Sequence, residues 1–247
     1  MSYYIGLSIL SNNPGSRQKR ENRQKLLSAE ARRILSHLEG RPVNEDDMAY
    51  EENGRPFFPG SSIDFNISHS GNMAAVSYFT SGGEPDHLPC RTGCDVQTVR
   101  SRANTLKIAE RFFTAVERDY IFSLDTKPFI ESRFFQIWTL KECYLKLRGL
   151  SVFDMTAAPS FICGDEQEGF RFAFNQGASS PGFPVLSFFL YGLSGPAGER
   201  YILASAIEGQ KQIQPELRWF SQSLLPCSII AAIKAAPSPA RTVSPKM

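Results

Sequence analysis

The stretch "WTLKECYLKLRGLSV", residues 138–152, decides how the chain reads. Phe134, Phe135, Trp138, Tyr144 and Leu145 recur at helical spacing around it, and Gly149 fits a C-cap. The spacing predicts a long helix over 131–148. On that helix Glu142 and Lys146 stand one turn apart on one face, while Lys141 points to another side. Alone, an i,i+4 Glu–Lys pair is a solvated surface pair worth a few tenths of a kcal/mol. The segments on either side give it a different weight.

Upstream, Leu106, Ile108, Phe112, Phe113, Val116, Tyr120 and Ile121 predict one helix over 104–124, broken between Asp125 and Pro128. Before it, "TGCDVQTV" reads as a strand, and "IDFNIS" and "MAAVSYF" read as two strands meeting around the turn "HSGN". Residues 1–10 read as a first strand. Leu26, Leu27, Ala31, Ile34, Leu35 and Leu38 then give a helix from about residue 23, ended by Gly40 and Pro42. Downstream, "GFRFAF", "VLSFFLYGL", "YILASAIEG" and "ELRWF" alternate with Gly/Pro-rich turns, which predicts an antiparallel sheet joined to helices. The fold class is therefore α+β. The divisions are an N-terminal half 1–91, a C-terminal half 92–222 and a flexible tail 223–247, whose "APSPARTVSPKM" has disorder-like composition.

Bulk properties narrow the function classes. A chain of 247 residues, 42% hydrophobic and 21% charged, is an ordinary globular composition. A net charge of +2 argues against a dominant polyanion partner. The basic run "RQKRENRQK" lacks the interleaved aromatics that would stack bases, so no nucleic-acid partner is expected. No apolar run approaches the roughly 20 residues that span a bilayer, so no membrane association is expected. The opening "MSYYIGLSIL" lacks the basic start of a signal peptide. Five cysteines without a regular framework suit reduced thiols and a cytoplasmic location. His87, Cys90 and Cys94 offer three zinc-type ligands without a matching fourth.

Three segments, "FNISHSG" at 65–71, "GCDVQ" at 93–97 and "WTLKECYLKLRGLSV" at 138–152, together resemble the Sfp-type 4′-phosphopantetheinyl transferase family; "GRPFFP" and "IAERFFTAVERDYI" fit the same pattern. The resemblance implies two similar α+β halves related by a pseudo-twofold axis, with coenzyme A in the cleft between them. It implies Mg²⁺-dependent transfer of the phosphopantetheine arm of coenzyme A onto a serine of an acyl or peptidyl carrier protein, releasing adenosine 3′,5′-bisphosphate. A monomer is implied by the size. Carried over residue by residue, Asp95 and Glu142 become metal ligands. Glu142 also matches the general base, acting directly or through water, and Lys146 matches the group that holds the phosphates and assists the leaving group. Arg55, Ser68 and His69 match contacts to the 3′-phosphate, and Lys141 a further phosphate contact. Arg23 and Lys25 are candidates for the adenine side.

The residues are compatible with that chemistry on their own terms. Attack on a pyrophosphate needs a divalent cation, and Mg²⁺ is satisfied by one or two carboxylates with several waters. Position 97 departs from the family pattern, which usually has a second acid there. Gln97 is assigned to the metal site either as an amide-oxygen ligand or as a place filled by water. It also supports the main alternative, a non-catalytic relative that binds coenzyme A or a carrier protein. A Mg²⁺-dependent nucleotide hydrolase is a third reading. The carrier surface is expected on 111–133, with Arg111, Arg118, Lys127, Arg133, Phe122 and Phe129.

Overall fold

Among the described residues, twelve strands and four α-helices follow one another. They are β1 (Ser2–Ile9), α1 (Arg17–Glu39), β2 (Ala49–Tyr50), β3 (Pro56–Phe57), β4 (Asp64–Ser70), β5 (Met73–Thr80), β6 (Arg91–Thr98), α2 (Thr105–Phe112), α3 (Ala115–Phe122), α4 (Lys127–Arg148), β7 (Ser160–Cys163), β8 (Phe170–Ala173), β9 (Val185–Ser194), β10 (Arg200–Gly209), β11 (Glu216–Trp219) and β12 (Ser228–Lys234). The computed structural model describes residues 1–10, 17–81, 90–163, 170–173, 185–209, 213–220 and 228–234.

Two four-stranded sheets, ordered β11-β1-β5-β4 and β12-β9-β10-β6, make the α+β body. Their shared logic is visible in the order. In each, the first strand in sequence is followed by a long helix, and the next two strands form a hairpin that places the third strand beside the first. Thus β1, α1, β4 and β5 correspond in sequence to β6, α4, β9 and β10. The hairpin β4–β5 turns at Gly71, whose φ of 59° is left-handed backbone that a side chain resists. A Cβ at Gly71 would also lie 2.5 Å from Thr98 Oγ1 at the end of β6.

The helices pack where the sequence carries apolar stripes. Leu27, Ala31, Ile34 and Leu35 of α1 are buried against Phe65, Ala74 and Val76. Helix α4 is buried on several sides at once, through Phe134, Ile137, Leu140, Cys143, Leu145 and Leu147. A helix apolar most of the way round belongs inside. It lies so close to β6 that a Cβ at Gly93 would stand 2.5 Å from Cys143 O, so the glycine permits the contact.

Four expectations change. The single helix over 104–124 is two helices, because Phe113 is extended and Thr114 starts a new N-terminus. Thr114 Oγ1 accepts from the Glu117 N–H at 3.4 Å, and Glu117 Oε2 accepts from the Thr114 N–H at 2.8 Å, the reciprocal cap that T-x-x-E encodes. Helix α4 begins at Lys127 rather than 131, since Pro128 suits a first helical turn; its Gly149 cap is left-handed, with φ 69°. Strand β11 leaves the C-terminal half and runs parallel to β1, pairing Tyr4 with Glu216 and Leu7 with Trp219. Residues 228–234 of the expected tail form β12, paired with β9 from Ser228↔Ser194 to Lys234↔Phe189; "SIIAAIK" has the β-branched, apolar composition a strand favours. The rest of 223–247 lies outside the described residues.

Candidate active site

Three elements bring their polar side chains to one cavity of about 1040 Å³. Trp138, Glu142 and Lys146, at successive turns of α4, line one wall. Asp95 and Gln97, two apart on β6, share a strand face and line a second. Ser68 and His69 come from the end of β4. The sequence separates these groups by up to 78 residues, yet they touch. Lys146 Nζ is 2.7 Å from Asp95 Oδ1 and donates to Ser68 Oγ at 2.8 Å. Ser68 Oγ–H donates to Asp95 Oδ1 at 2.8 Å, and Gln97 Nε2 donates to Asp95 Oδ2 at 2.9 Å.

The electrostatics follow from that packing. Asp95 is only 2% exposed. Burial and the negative charge of Asp95 push the Glu142 carboxyl up to about 7, with Lys146 pulling the other way. Burial opposes the charge of Lys146, but Asp95 and then Glu142 outweigh it and hold the ammonium above its ordinary range. Burial and the Lys146 charge keep the His69 imidazole below its ordinary value. The cluster thus holds a firmly charged cation, and beside it a carboxyl whose proton is exchangeable near neutrality.

Two predicted site residues are not in the cavity. Arg55 is 5% exposed. Its guanidinium is bonded to Asp64 Oδ2 at 2.7 Å, Phe65 O at 3.1 Å, Thr92 O at 2.8 Å and Lys146 O at 2.8 Å. It clamps β4, β6 and the end of α4 together and does not line the cavity. Lys141 is wholly buried on the far side of α4, 3.2 Å from Glu117 Oε1 and bonded to Pro159 O at 3.3 Å. Burial lowers its ammonium pKa, against the pull of Glu117. The expected phosphate contacts of Arg55 and Lys141 are corrected on these grounds. Ser68 and His69 do line the cavity, although the Ser68 hydroxyl is already engaged by Asp95, Lys146 and the Val96 N–H at 3.1 Å.

Other cations line the cavity instead. Lys25 and Arg32 lie on one face of α1, seven residues apart, with Gln24 and Ser28. That polar stripe at helical spacing was readable beside the apolar one. Arg102, just after β6, stacks over Phe135 and Trp138 at 5.8 and 5.9 Å; nothing in the sequence announced it. Arg23 does not line the cavity. On the expected carrier surface, Arg118 donates to Phe113 O at 2.7 Å, and Arg133 donates to Tyr120 O at 2.5 Å. Phe122 is partly buried and Phe129 is 63% exposed.

Among the described residues no cluster of three or more His, Cys, Asp or Glu could hold a metal ion. Cys90 and Cys94 are buried, and His87 lies outside the described residues. Four carboxylates line the cavity, Glu21, Glu45, Asp95 and Glu142, and the pair packed beside Lys146 is Asp95 and Glu142. Burial raises the Glu142 value and the charge of Asp95 adds to it; a hard divalent cation relieves that strain, and two carboxylates suffice for Mg²⁺. The pair fits that ion.

A cavity wall that joins Asp95, Glu142 and Lys146 on an α+β body has known relatives. Residues 91–181, which hold Asp95, Gln97, Glu142 and Lys146, match the 4′-phosphopantetheinyl transferase superfamily. By that segment the chain is a relative of these transferases. It is 32% identical over 130 residues to the 4′-phosphopantetheinyl transferase AcpT of Escherichia coli K12, covering 52% of this chain and 60% of that protein. It is 31% identical over 122 residues to 4′-phosphopantetheinyl transferase psf-1 of Bacillus pumilus, covering 49% and 47%. It is 32% identical over 124 residues to 4′-phosphopantetheinyl transferase HetI of Nostoc, covering 48% of each chain. The matched stretch therefore spans about half to three-fifths of the length of these relatives. Among the described residues no helix is long and apolar enough to cross a membrane.

Proposed function

We propose that the protein moves the 4′-phosphopantetheine arm of coenzyme A onto a serine of an apo acyl or peptidyl carrier protein and releases adenosine 3′,5′-bisphosphate. The observation that carries this reading is the convergence of Asp95, Glu142 and Lys146 at one cavity wall. The shared strand order of the two sheets supports two similar halves about a pseudo-twofold axis, with coenzyme A between them. The protein is proposed to act as a cytoplasmic monomer.

The chain's own groups have definite work in such a reaction. Glu142 is matched to taking a proton from a serine hydroxyl, directly or through water. The serine oxygen forms a bond to the phosphorus that carries the pantetheine arm. The bond from that phosphorus to the bridging oxygen breaks, and adenosine 3′,5′-bisphosphate keeps the oxygen. Lys146, held charged, stabilises the oxygen that leaves. His69 at the β4 end, with Lys25 and Arg32 on α1, supplies donors for the nucleotide's remote phosphate. Asp95 and Glu142 would hold Mg²⁺, with Gln97 able to turn its amide oxygen toward it. When bound, the ion supplies charge neutralisation on the pyrophosphate oxygens.

Gln97 favours the rival reading of a non-catalytic binder, because its amide supports Asp95 and adds no charge. One incubation with coenzyme A, Mg²⁺ and an apo carrier separates the readings. A carrier that gains the mass of the arm, with equimolar adenosine 3′,5′-bisphosphate, is the expected result. Saturable binding of coenzyme A with an unchanged carrier would establish the binder. The nucleotide product without a modified carrier would establish a hydrolase.

A further inference from the structure

The outer strand of a sheet leaves every second backbone N–H without a ladder partner. On β6, outermost in its sheet, those groups belong to Thr92, Cys94, Val96 and Thr98, and each meets a side chain of β4, outermost in the other sheet. Thr92 N–H donates to Asp64 Oδ2 at 2.6 Å, Val96 N–H to Ser68 Oγ at 3.1 Å and Thr98 N–H to Ser70 Oγ at 3.0 Å. Asn66 reaches Cys94 in either orientation of its amide. Its Oδ1 accepts from the Cys94 N–H at 3.3 Å or, turned over, its NH₂ donates to Cys94 O at 3.2 Å. The offset is 28 residues at every rung.

The sequence writes this ladder as the alternation D-x-N-x-S-x-S over 64–70, which puts the four short polar side chains on one strand face. A slip of one residue would set Phe65 and Ile67 against buried donors they cannot satisfy. A slip of two would move Ser68 off Val96. The third rung is also the link to the cavity, because the same Ser68 hydroxyl meets Asp95 and Lys146.

We propose that the polar face of β4 (Asp64, Asn66, Ser68 and Ser70) is a register key that fixes β6 lengthwise and so holds Asp95 against Lys146. Asn66 and Ser70 are positioning residues: they touch β6, not the cavity. The functional half of the proposal rests on the transferase reading; the ladder itself does not.

The test uses Asn66→Ala, Ser70→Ala and the conservative Ser70→Thr in the full chain. Amide hydrogen exchange is read at Cys94, Val96 and Thr98, and at Gly93, Asp95 and Gln97, which alternate toward β10. The alanine variants should speed exchange in the first set about tenfold, the loss of roughly one hydrogen bond, and leave the second set protected. Their kcat should fall about tenfold, since a small displacement of a reacting constellation is costly, with KM for coenzyme A within about twofold. Ser70→Thr should restore both. If Asn66→Ala does not fold, the half-buried Ser70 pair carries the test. Unchanged exchange in the alanine variants, or faster exchange in both sets with kcat per folded molecule unaltered, overturns the proposal. A wild type that exchanges as expected but modifies no carrier overturns the transferase reading and the functional half, leaving the ladder standing.

Discussion

Lys141 and Lys146 leave α4 about 140° apart, and everything that distinguishes them follows from that angle. Lys141 is wholly buried, with its ammonium against Glu117, which also accepts from the Phe161 N–H at 2.9 Å and caps α3. It binds α3, α4 and the start of β7 into one core. Lys146 pairs with an equally buried carboxylate, Asp95, but stands at a cavity wall with part of its side chain open. Both ion pairs join a lysine to a buried carboxylate. One faces only protein and serves packing; the other faces space large enough for a cofactor-sized ligand. Chemistry in "WTLKECYLK" belongs to the face that meets the cavity, not to the charge.

Breaking the cavity pair should have the largest effect. Lys146→Ala or Glu142→Ala should lower carrier modification by about a hundredfold or more, the loss of several kcal/mol of transition-state stabilisation. The unfolding midpoint should fall little in Glu142→Ala and further in Lys146→Ala, which leaves the buried Asp95 charge with fewer partners; circular dichroism in urea alongside rate measurement separates the two effects. Breaking the core pair should do the reverse. Lys141→Met leaves the Glu117 charge buried with fewer partners and should cost about 3 kcal/mol of stability. Its KM for coenzyme A should be that of wild type at temperatures where it stays folded. A large KM increase would return Lys141 to the binding site.

A third expectation concerns pH. The Glu142 value in the folded protein, about 7, lies above its ordinary 4.5. Its protonated form is favoured by folding, so the contribution is full below about pH 4.5 and is lost as pH rises through about 7. In chelator, Glu142→Gln should therefore gain stability over wild type as pH rises from 5 to 8, in thermal unfolding scans at each pH. A constant offset across that range would mean that Glu142 is not strained by Asp95. The smallest effect is expected at position 97. Gln97→Glu adds a third negative charge to the pair and should lower the Mg²⁺ concentration needed for half-maximal rate, read by titration at fixed coenzyme A. No shift would place residue 97 away from the ion.

The parts of this arrangement visible in the sequence are those whose signals are local. The β4–β5 hairpin, the long helix with its Gly149 cap and the wall residues Asp95, Glu142 and Lys146 each sit in a short patterned segment. The split between α2 and α3 was also local, in Thr114-x-x-Glu117, but a continuous apolar stripe obscured it. Arg55 and Lys141 misled because a basic residue's role depends on whether its partner is solvent or another protein group that the fold sets beside it, here Asp64 and Glu117. Strands β11 and β12 were misplaced or missed for the same reason: what pairs with an edge is decided by β1 and β9, more than 30 residues away in sequence.

The most direct measurement compares wild type, Lys146→Met and Lys141→Met in a single turnover with coenzyme A, Mg²⁺ and apo carrier, following the carrier's mass in time. Wild type and Lys141→Met should both add the phosphopantetheine arm at comparable rates, and Lys146→Met should leave the carrier unmodified over the same interval. Modification by Lys146→Met at the wild-type rate, or its loss in a folded Lys141→Met alone, would contradict the assignment of the reaction to the Asp95–Glu142–Lys146 wall.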